Sequence, residues 1–230
     1  MLTQLDDRLY TFAYQAPMLG GAVRFPARCT VIAMASEQLA LISPGPIAPP
    51  LAEAIDQLGR VSLLIAPNAF HYLYLAAAKQ RYPAAKAVVA PALRTKRPQL
   101  PHDGLLPQDL PAAFLDDVEV TAIAGAPKLD EYLFYHRPSR TLIVTDLVFN
   151  IHAAEGWLTA PLLKMFGAWG KLASSWFLRR TVRDRTAAAR SLEPILARPF
   201  CRTLLAHGEP IDLNAPAALA RALAWLPLNH

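Results

Sequence analysis

Cysteine is scarce in this chain of 230 residues: only Cys29 and Cys201 occur, far apart and outside any metal-binding spacing. Such usage argues against a disulfide framework and is typical of a reducing compartment, so we expect a cytoplasmic protein. Long apolar runs are also missing, since Asp6, Asp7 and Arg8 interrupt the N-terminus and no later run reaches the length of a membrane span. We therefore expect neither a secretory signal nor a membrane-spanning segment.

Acidic residues are fewer than basic ones, which gives the chain a net charge of +5. This excess permits an anionic partner, but the basic residues form no recognisable nucleic-acid-binding module, so nucleic acid is not an expected partner. With 53% hydrophobic residues, the chain can bury a sizeable core. We expect a single domain over 1–230 that begins with an extended segment at 1–28.

Three apolar, strand-like runs each end on a residue that can bind a metal or move a proton. The run at 63–66 leads to Asn68 and His71, a second run ends on Asp146, and a third ends on His207. Strand ends are where α/β proteins commonly place chemistry. We therefore expect the side chains of His71, Asp146 and His207 to meet in one cleft at one edge of a sheet.

The remaining patterns place these strands in an α/β order. The predicted elements are strands at 29–34 and 39–43 joined by a hairpin through Ser36, a helix at 50–58, a strand at 62–66, a helix at about 72–82, strands at 87–90, 118–123, 132–135, 141–145 and 202–206, and a closing helix at 215–226. The strand–helix–strand order over 62–90 predicts that its two strands are parallel neighbours.

A basic run that contains Arg94, Lys96 and Arg97 follows the strand at 87–90. A solvated surface turn is the commoner role of such a run. The alternative is an anion-binding loop, because arginine can hold a carboxylate or phosphate at two points. Together with Asn68, these three residues are the candidate substrate-binding set, and they predict an anionic small molecule as the ligand.

The segment 150–200 has a helical composition and is rich in aromatic residues. Such a large apolar surface is not expected to be hydrated along one exposed helix. We predict that its aromatic side chains pack over the cleft or form a homodimer contact: Trp157, Phe166, Trp169, Trp176 and Phe177.

The order of elements resembles the metallo-β-lactamase fold, with a strand ending in a polar loop, a hairpin, a strand ending on Asp146, a helical segment and a strand ending on His207. Local sequences resemble one bacterial branch of that superfamily that is known only as a domain of unknown function: Ser43-Pro44, 66–71, 94–98, 136–142, Thr145-Asp146 and 206–209. The resemblance implies an α/β fold, an αββα sandwich with a helical insertion before the last strand.

The resemblance also implies a metal centre, which this chain carries in a degenerate form. Active members have a His-x-His-x-Asp-His motif in the loop after the strand at 62–66. Here Asn68 and Phe70 replace its two leading histidines, and His71 falls beside the position of the motif's aspartate. A further histidine is expected just before the hairpin, where this chain has Gly125-Ala126-Pro127. A two-metal centre is therefore not expected.

Asp146 matches the metal-bridging aspartate of the superfamily, and His207 matches its C-terminal histidine. We expect at most one divalent ion, zinc or iron(II), bound by His71, Asp146 and His207, with Glu131 as a fourth ligand. Asp146 is also the candidate catalytic residue. Alternatively, Asp146 binds loop amides and both histidines are satisfied core residues.

Two functions agree with these observations. The first is a mononuclear metal-dependent hydrolase that cleaves an ester, thioester or amide in an anionic small molecule. The alternative is a catalytically degenerate protein that binds a small ligand in the old cleft without a metal.

Overall fold

The computed structural model describes residues 1–35 and 37–228, which form two β-sheets. The first sheet contains, in spatial order, β1 (Thr3–Asp6), β2 (Leu9–Met18), β3 (Val23–Ala33), β4 (Gln38–Ile42), β5 (Arg60–Ala66), β6 (Lys86–Val89) and β7 (Gly104–Leu105). The second contains β11 (Arg202–Leu205), β10 (Thr141–Val144), β9 (Tyr132–His136) and β8 (Val118–Ala122).

Helices lie on the outer faces of these sheets, and the apolar core is divided into layers. The helices are α1 (Pro49–Asp56), α2 (Leu75–Arg81), α3 (Pro91–Lys96), α4 (Ala112–Leu115), α5 (Thr159–Met165), α6 (Trp176–Arg179), α7 (Arg185–Leu196) and α8 (Ala215–Ala222). One cluster of buried side chains joins the two sheets. A second cluster joins the first sheet to α1, α2 and α3, and a third joins the other sheet to α7 and α8. This αββα sandwich confirms the predicted fold class.

The direction of the strands explains why their ends meet. β4, β5 and β6 are parallel neighbours, and β10 and β11 are parallel in the second sheet. The pairing of β5 with β6 confirms the prediction that the two strands within 62–90 are parallel neighbours. β3 and β4 pair antiparallel, as predicted, although Ser36 in the connection lies outside the described residues. The apolar run of β5 is continuous because both of its faces are covered.

Much of 1–28 is extended, and β1, β2 and the first part of β3 make this region one side of the first sheet. β2 pairs with β3 without interruption from Leu9 opposite Ile32 to Met18 opposite Val23. The chain turns between them at Gly20 and Gly21, which have φ angles of 66° and 90°. Such angles favour glycine because it lacks a Cβ atom.

The segment 150–200 contains α5, α6 and α7, which precede the last strand β11 and pack in different places. α7 covers the second sheet, where its buried Leu192 and Ile195 join the same cluster as Leu142 of β10. α5 lies instead beside β3, because Leu163 packs in a small cluster with Phe25. α6 begins soon after Ala173, which pairs with Phe149 near the end of β10. No helix within the described ranges is long and apolar enough to cross a membrane.

His136 is a buried histidine at the end of β9, far from the strand ends that carry the candidate ligands. Its Nδ1 is 2.7 Å from the hydroxyl oxygen of Ser139, and burial lowers its pKa to about 4. An unfolded histidine titrates near 6.5, so between these pH values the unfolded chain binds more protons than the folded one. The folded state therefore loses stability as the pH falls through this window.

We expect His136 to destabilise the folded chain by up to about 3 kcal/mol between pH 6.5 and 4. His136→Gln should reduce this dependence, because an amide can still bond to Ser139 but does not titrate. Denaturant unfolding at several pH values measures the difference, with His102→Gln as a control at a more exposed position. Parallel stability curves for the wild type and His136→Gln would contradict the assignment.

Candidate functional site

His71, Asp146 and His207 converge at the shared edge of the two sheets, as predicted. One ligand atom from each lies within 4.8 Å of the others. The two histidine Nε2 atoms are 2.9 Å apart, and they lie 3.4 Å and 3.2 Å from the oxygens of Asp146. Ligands bound to one tetrahedral zinc at about 2.0–2.1 Å are roughly 3.3 Å apart. The spacing therefore fits three ligands of a single ion.

The opposite ring nitrogens of both histidines are held by neighbouring groups. Nδ1 of His207 is 2.7 Å from the carbonyl oxygen of Pro26, and Nδ1 of His71 is 2.5 Å from the hydroxyl oxygen of Ser43. A carbonyl can only accept, so Nδ1 of His207 carries a hydrogen and its Nε2 is bare in the neutral ring. Two bare nitrogens 2.9 Å apart would repel each other, so a proton or a metal ion must lie between them.

Asn68 organises the loop that carries His71. Its amide nitrogen donates to the hydroxyl of Thr145 at 3.0 Å and to Asp146 at 2.8 Å. Its amide oxygen accepts the backbone N–H groups of Phe70 and His71. Because Asn68 is fully buried, the structure does not make it a substrate contact as expected from the sequence. It instead couples the loop after β5 to the end of β10.

Glu131 lies behind Asp146 and points into the protein. Its carboxylate accepts the backbone N–H groups of Thr145 and Asp146 at 2.9–3.1 Å. Among the described residues, the potential metal group contains only His71, Asp146 and His207. Glu131 is therefore not placed as the expected fourth ligand, because both of its oxygens are bonded to the main chain. It orients the segment that presents Asp146.

The charges of the site depend on one another because the groups are buried together. Burial and the Asp146 carboxylate raise the pKa of Glu131 to about 7. Although burial opposes it, His71 and His207 hold the pKa of Asp146 well below its usual range. Burial also opposes the charged form of His71, but Asp146 and Glu131 raise its pKa overall. Asp146 is thus an ionised carboxylate that favours a positive charge, a proton or a metal ion, at the two histidines.

A cavity of about 550 Å³ opens directly above this group. His71, Asp146 and His207 form part of its lining, together with Ser43. Most of the remaining wall is apolar and comes from β2, β3, the loop after β5 and the segment 149–178. The site therefore combines a small polar group with a large apolar space.

The predicted packing of aromatic residues over the cleft holds for part of the set. Phe166 and Phe177 line the cavity, and their rings are 5.9 Å apart. The ring of Trp176 packs 5.2 Å from that of Phe166. Trp157, by contrast, is 76% exposed, so it does not cover the cleft. The homodimer contact through this segment stays a prediction.

The basic residues after β6 lie behind the His71 loop and not in the cavity. Within the described residues, the cavity lining does not include Arg94, Lys96 or Arg97. Lys96 donates to the carbonyl oxygen of Ala69 at 2.7 Å, and its Nζ lies 3.8 Å from the centre of the Phe70 ring. Arg94 and Lys96 lie in helix α3, which Pro91 starts, and Arg97 follows its last residue, so the run is not the expected loop.

Arg97 contacts the same loop, because its Nε donates to the hydroxyl of Tyr72 at 2.7 Å. Lys96 and Arg97 therefore form hydrogen bonds to the loop on either side of His71. The expected two-point contact with an anion at the rim of the cleft does not follow from this geometry.

Sequence reasoning missed two groups that orient the histidines. Ser43 follows the end of β4, just as Asp146 lies after the end of β10. Its position at a strand end could therefore have identified it as a candidate site residue. Its φ of 56° is a strained conformation of a kind that clusters at functional sites. Pro26 had no such signal, because it acts through its backbone carbonyl.

Gly208 allows the chain to pass close to the loop after β10. Its φ is 97°, and a Cβ atom at this position would lie 2.0 Å from the carbonyl oxygen of Asn150. Any side chain would therefore displace one of the two segments. The sequence His207-Gly208 places a ligand next to the one residue type that permits this approach.

Solved structures of metallo-β-lactamases share this fold. The enzyme from Pontibacter korlensis has a TM-score of 0.64 and 13% identity, over 97% of this chain and 98% of that one. FIM-1 from Pseudomonas aeruginosa, in its mono-zinc form, has a TM-score of 0.66 and 11% identity, over 98% and 95%. The enzyme from Hirschia baltica has a TM-score of 0.64 and 8% identity, over 97% of each chain. Identities this low show the fold alone.

The sequence comparisons give the family. No curated protein matches the chain. A family model described as "Domain of unknown function (DUF4336)" matches residues 6–160, which is more than half of the chain. The chain therefore belongs to the DUF4336 family, and it has the fold of the metallo-β-lactamases.

Proposed function

We propose that this protein is a hydrolase that uses one divalent ion, zinc or iron(II), held by His71, Asp146 and His207. The observation that carries the proposal is the spacing of the three ligand atoms, all within 4.8 Å of one another. The contacts of Ser43 and Pro26 support it, because metal-binding histidines usually have their second nitrogen fixed in this way. Two histidines and one carboxylate suit zinc and iron(II) equally.

A divalent ion at this position would supply a Lewis acid and lower the pKa of water, which permits hydrolysis near neutral pH. The protein's own residues would prepare the site for it. Asp146 remains ionised and provides the negative charge that attracts a cation. Because its pKa is held well below its usual range, Asp146 would hold the ion rather than accept a proton from the attacking water. Asn68 and Glu131 hold this carboxylate and its backbone in place.

The reaction class is hydrolysis of an acyl bond in an ester, thioester or amide. Water adds its hydroxyl group to the acyl carbon, and its proton goes to the leaving oxygen, sulfur or nitrogen. The polar group lies at the wall of an otherwise apolar cavity. Such surroundings limit access of bulk water and strengthen the electrostatic interactions that act on a polarised carbonyl.

Metal content tests the proposal directly. Protein purified without chelators should contain close to one zinc or iron per chain by elemental analysis. The double variant His71→Ala, His207→Ala should contain almost none, because two of three ligands are removed. His102→Ala, His152→Ala is the matched control, since neither histidine belongs to the group. Equal, substoichiometric metal in all three preparations would contradict the metal-dependent hydrolase.

A binding protein without a metal is the second candidate, and the size of the cavity favours it. A volume of about 550 Å³ is within the roughly 300–1,000 Å³ range of small-molecule sites. In this case His71 would carry the proton that separates the two histidine rings, as its raised pKa allows. The same elemental analysis separates the two candidates.

A further inference from the structure

We infer that the cavity binds an uncharged acyl chain, so that the substrates of the site are apolar acyl esters. The assignment of a reaction rests on the proposed function, whereas the assignment of the ligand rests on the cavity itself. The basic run predicted an anionic ligand. The residues that line the cavity indicate an apolar ligand instead.

The interior of the cavity is the first observation. Phe25, Phe149, Leu163 and Leu178 form its inner wall, and each comes from a different part of the chain. Phe149, Leu163 and Leu178 are almost fully buried, which means that packing holds them in place. An apolar ligand would gain free energy from each methylene group that it transfers from water to this wall.

The mouth of the cavity is the second observation. Met18, Phe70, Leu73 and Phe177 line it, yet they are 52%, 41%, 61% and 53% exposed. Single exposed apolar side chains are ordinary, but four that line the same cavity are a concentration of apolar surface of the kind found at ligand-binding grooves. The apolar character therefore continues from the inner wall to the solvent.

The charge of the lining is the third observation. Among the described residues, no lysine or arginine lines the cavity. A ligand with a carboxylate or phosphate at its apolar wall would therefore have no lysine or arginine to pair with. An ester satisfies both parts of the site, since its carbonyl can face the His71, Asp146 and His207 group while its chain contacts the apolar wall.

A series of methyl ketones tests the inference without hydrolysis, because ketones carry the carbonyl group but no bond that water can cleave. The dissociation constants of 2-hexanone, 2-octanone and 2-decanone are measured by calorimetric titration. Each buried methylene should lower the dissociation constant about fourfold. Binding should thus tighten by roughly two orders of magnitude across the series. Equal dissociation constants for all three ketones would overturn the inference.

Two substitutions on β2 locate the binding. Ala16 lines the cavity and is only partly exposed, so Ala16→Phe should fill part of the space. We expect it to weaken binding of 2-decanone at least tenfold and to reduce the dependence on chain length. Ala13→Phe is the matched control, because Ala13 is exposed on the same strand and lies outside this lining. Equal effects of the two variants would also overturn the inference.

A second pair of variants tests the same site and does not depend on the folding of Ala16→Phe. Phe177→Asp places a charge at the mouth, whereas Trp157→Asp places one on an exposed residue outside the lining. Only Phe177→Asp should weaken binding of 2-decanone. Unchanged binding in Phe177→Asp would contradict the acyl site.

Decanoate separates this inference from the proposed metal centre. Its carboxylate should bind more tightly to protein loaded with zinc than to protein treated with a chelator, because a carboxylate oxygen can bind directly to a zinc ion. The ketone series should keep its dependence on chain length under both conditions. Chelator-independent binding of decanoate would count against the metal centre, whereas a ketone series without chain-length dependence would count against the acyl site.

Discussion

Asn68→Ala should lower the free energy of unfolding by about 3–5 kcal/mol, because it removes four hydrogen bonds from a fully buried side chain. The backbone N–H groups of Phe70 and His71 would lose their acceptor, and Asp146 would lose a donor. If the metal centre exists, its affinity should also fall by roughly 10–100-fold, as is usual when a group that orients a ligand is removed. Denaturant unfolding in the presence of a chelator measures the first effect alone.

Two further variants control this prediction. Asn150→Ala makes the same change at a more exposed position, where the side chain donates to Glu209 and accepts from His152. We expect it to cost about 1 kcal/mol or less. Asn68→Asp keeps the acceptor for the two N–H groups but places a second carboxylate against Asp146, so it should also destabilise strongly. A stability of Asn68→Ala equal to that of Asn150→Ala would refute the bridging role.

Glu131→Ala should be similarly destabilising, by about 3–5 kcal/mol. The variant would leave the N–H groups of Thr145 and Asp146 without an acceptor in a site closed to water. Glu131→Gln should cost much less, since its amide oxygen can still accept from both groups. The free energy of unfolding of each variant, measured without metal, is the relevant quantity.

Glu119→Ala provides the comparison for removal of a carboxylate near the surface. Glu119 pairs with Arg137 and Arg198, and it is more accessible than Glu131. Pairs of this kind contribute about 0–1 kcal/mol. If Glu131→Ala were no more destabilising than Glu119→Ala, the main-chain contacts of Glu131 would not stabilise the segment that carries Asp146.

Agreement between sequence and structure was best where strands are buried on both faces. β5 and β10 consist of short apolar runs followed by polar residues, and such runs are recognisable without knowledge of the fold. The parallel pairing of β5 with β6 was predicted from the strand–helix–strand order. The ends of these strands therefore identified His71 and Asp146 as candidates.

The hairpin of β2 and β3 was not recognised, because prolines and glycines interrupt its pattern. Pro26 lies within β3, where proline removes a hydrogen-bond donor from the ladder. The structure tolerates it because β3 pairs with β4 only from Thr30 to Ala33, so Pro26 has β2 as its one neighbour. Whether a strand has one neighbour or two depends on the completed sheet.

The basic run illustrates the same limit for side chains. The sequence located three charges after β6, but the strand end alone did not indicate what they contact. Lys96 lies 27 residues from the carbonyl group of Ala69 that it binds, and Arg97 lies 25 residues from Tyr72. Contacts over such separations depend on how α3 packs against the loop, which no local pattern encodes.

The sequence by itself determined the order of the strands and the three strand-end residues that meet at the candidate site. Its resemblance to the metallo-β-lactamase fold added the αββα arrangement and the replacement of two motif histidines by Asn68 and Phe70. Only the tertiary structure decided that Glu131 binds main-chain amides, that Pro26 and Ser43 hold the histidines, and that an apolar cavity lies above them. Residue type and spacing report what a side chain can do and which local structure it favours. Its partner depends on distances between remote segments, which exist only after both sheets have packed.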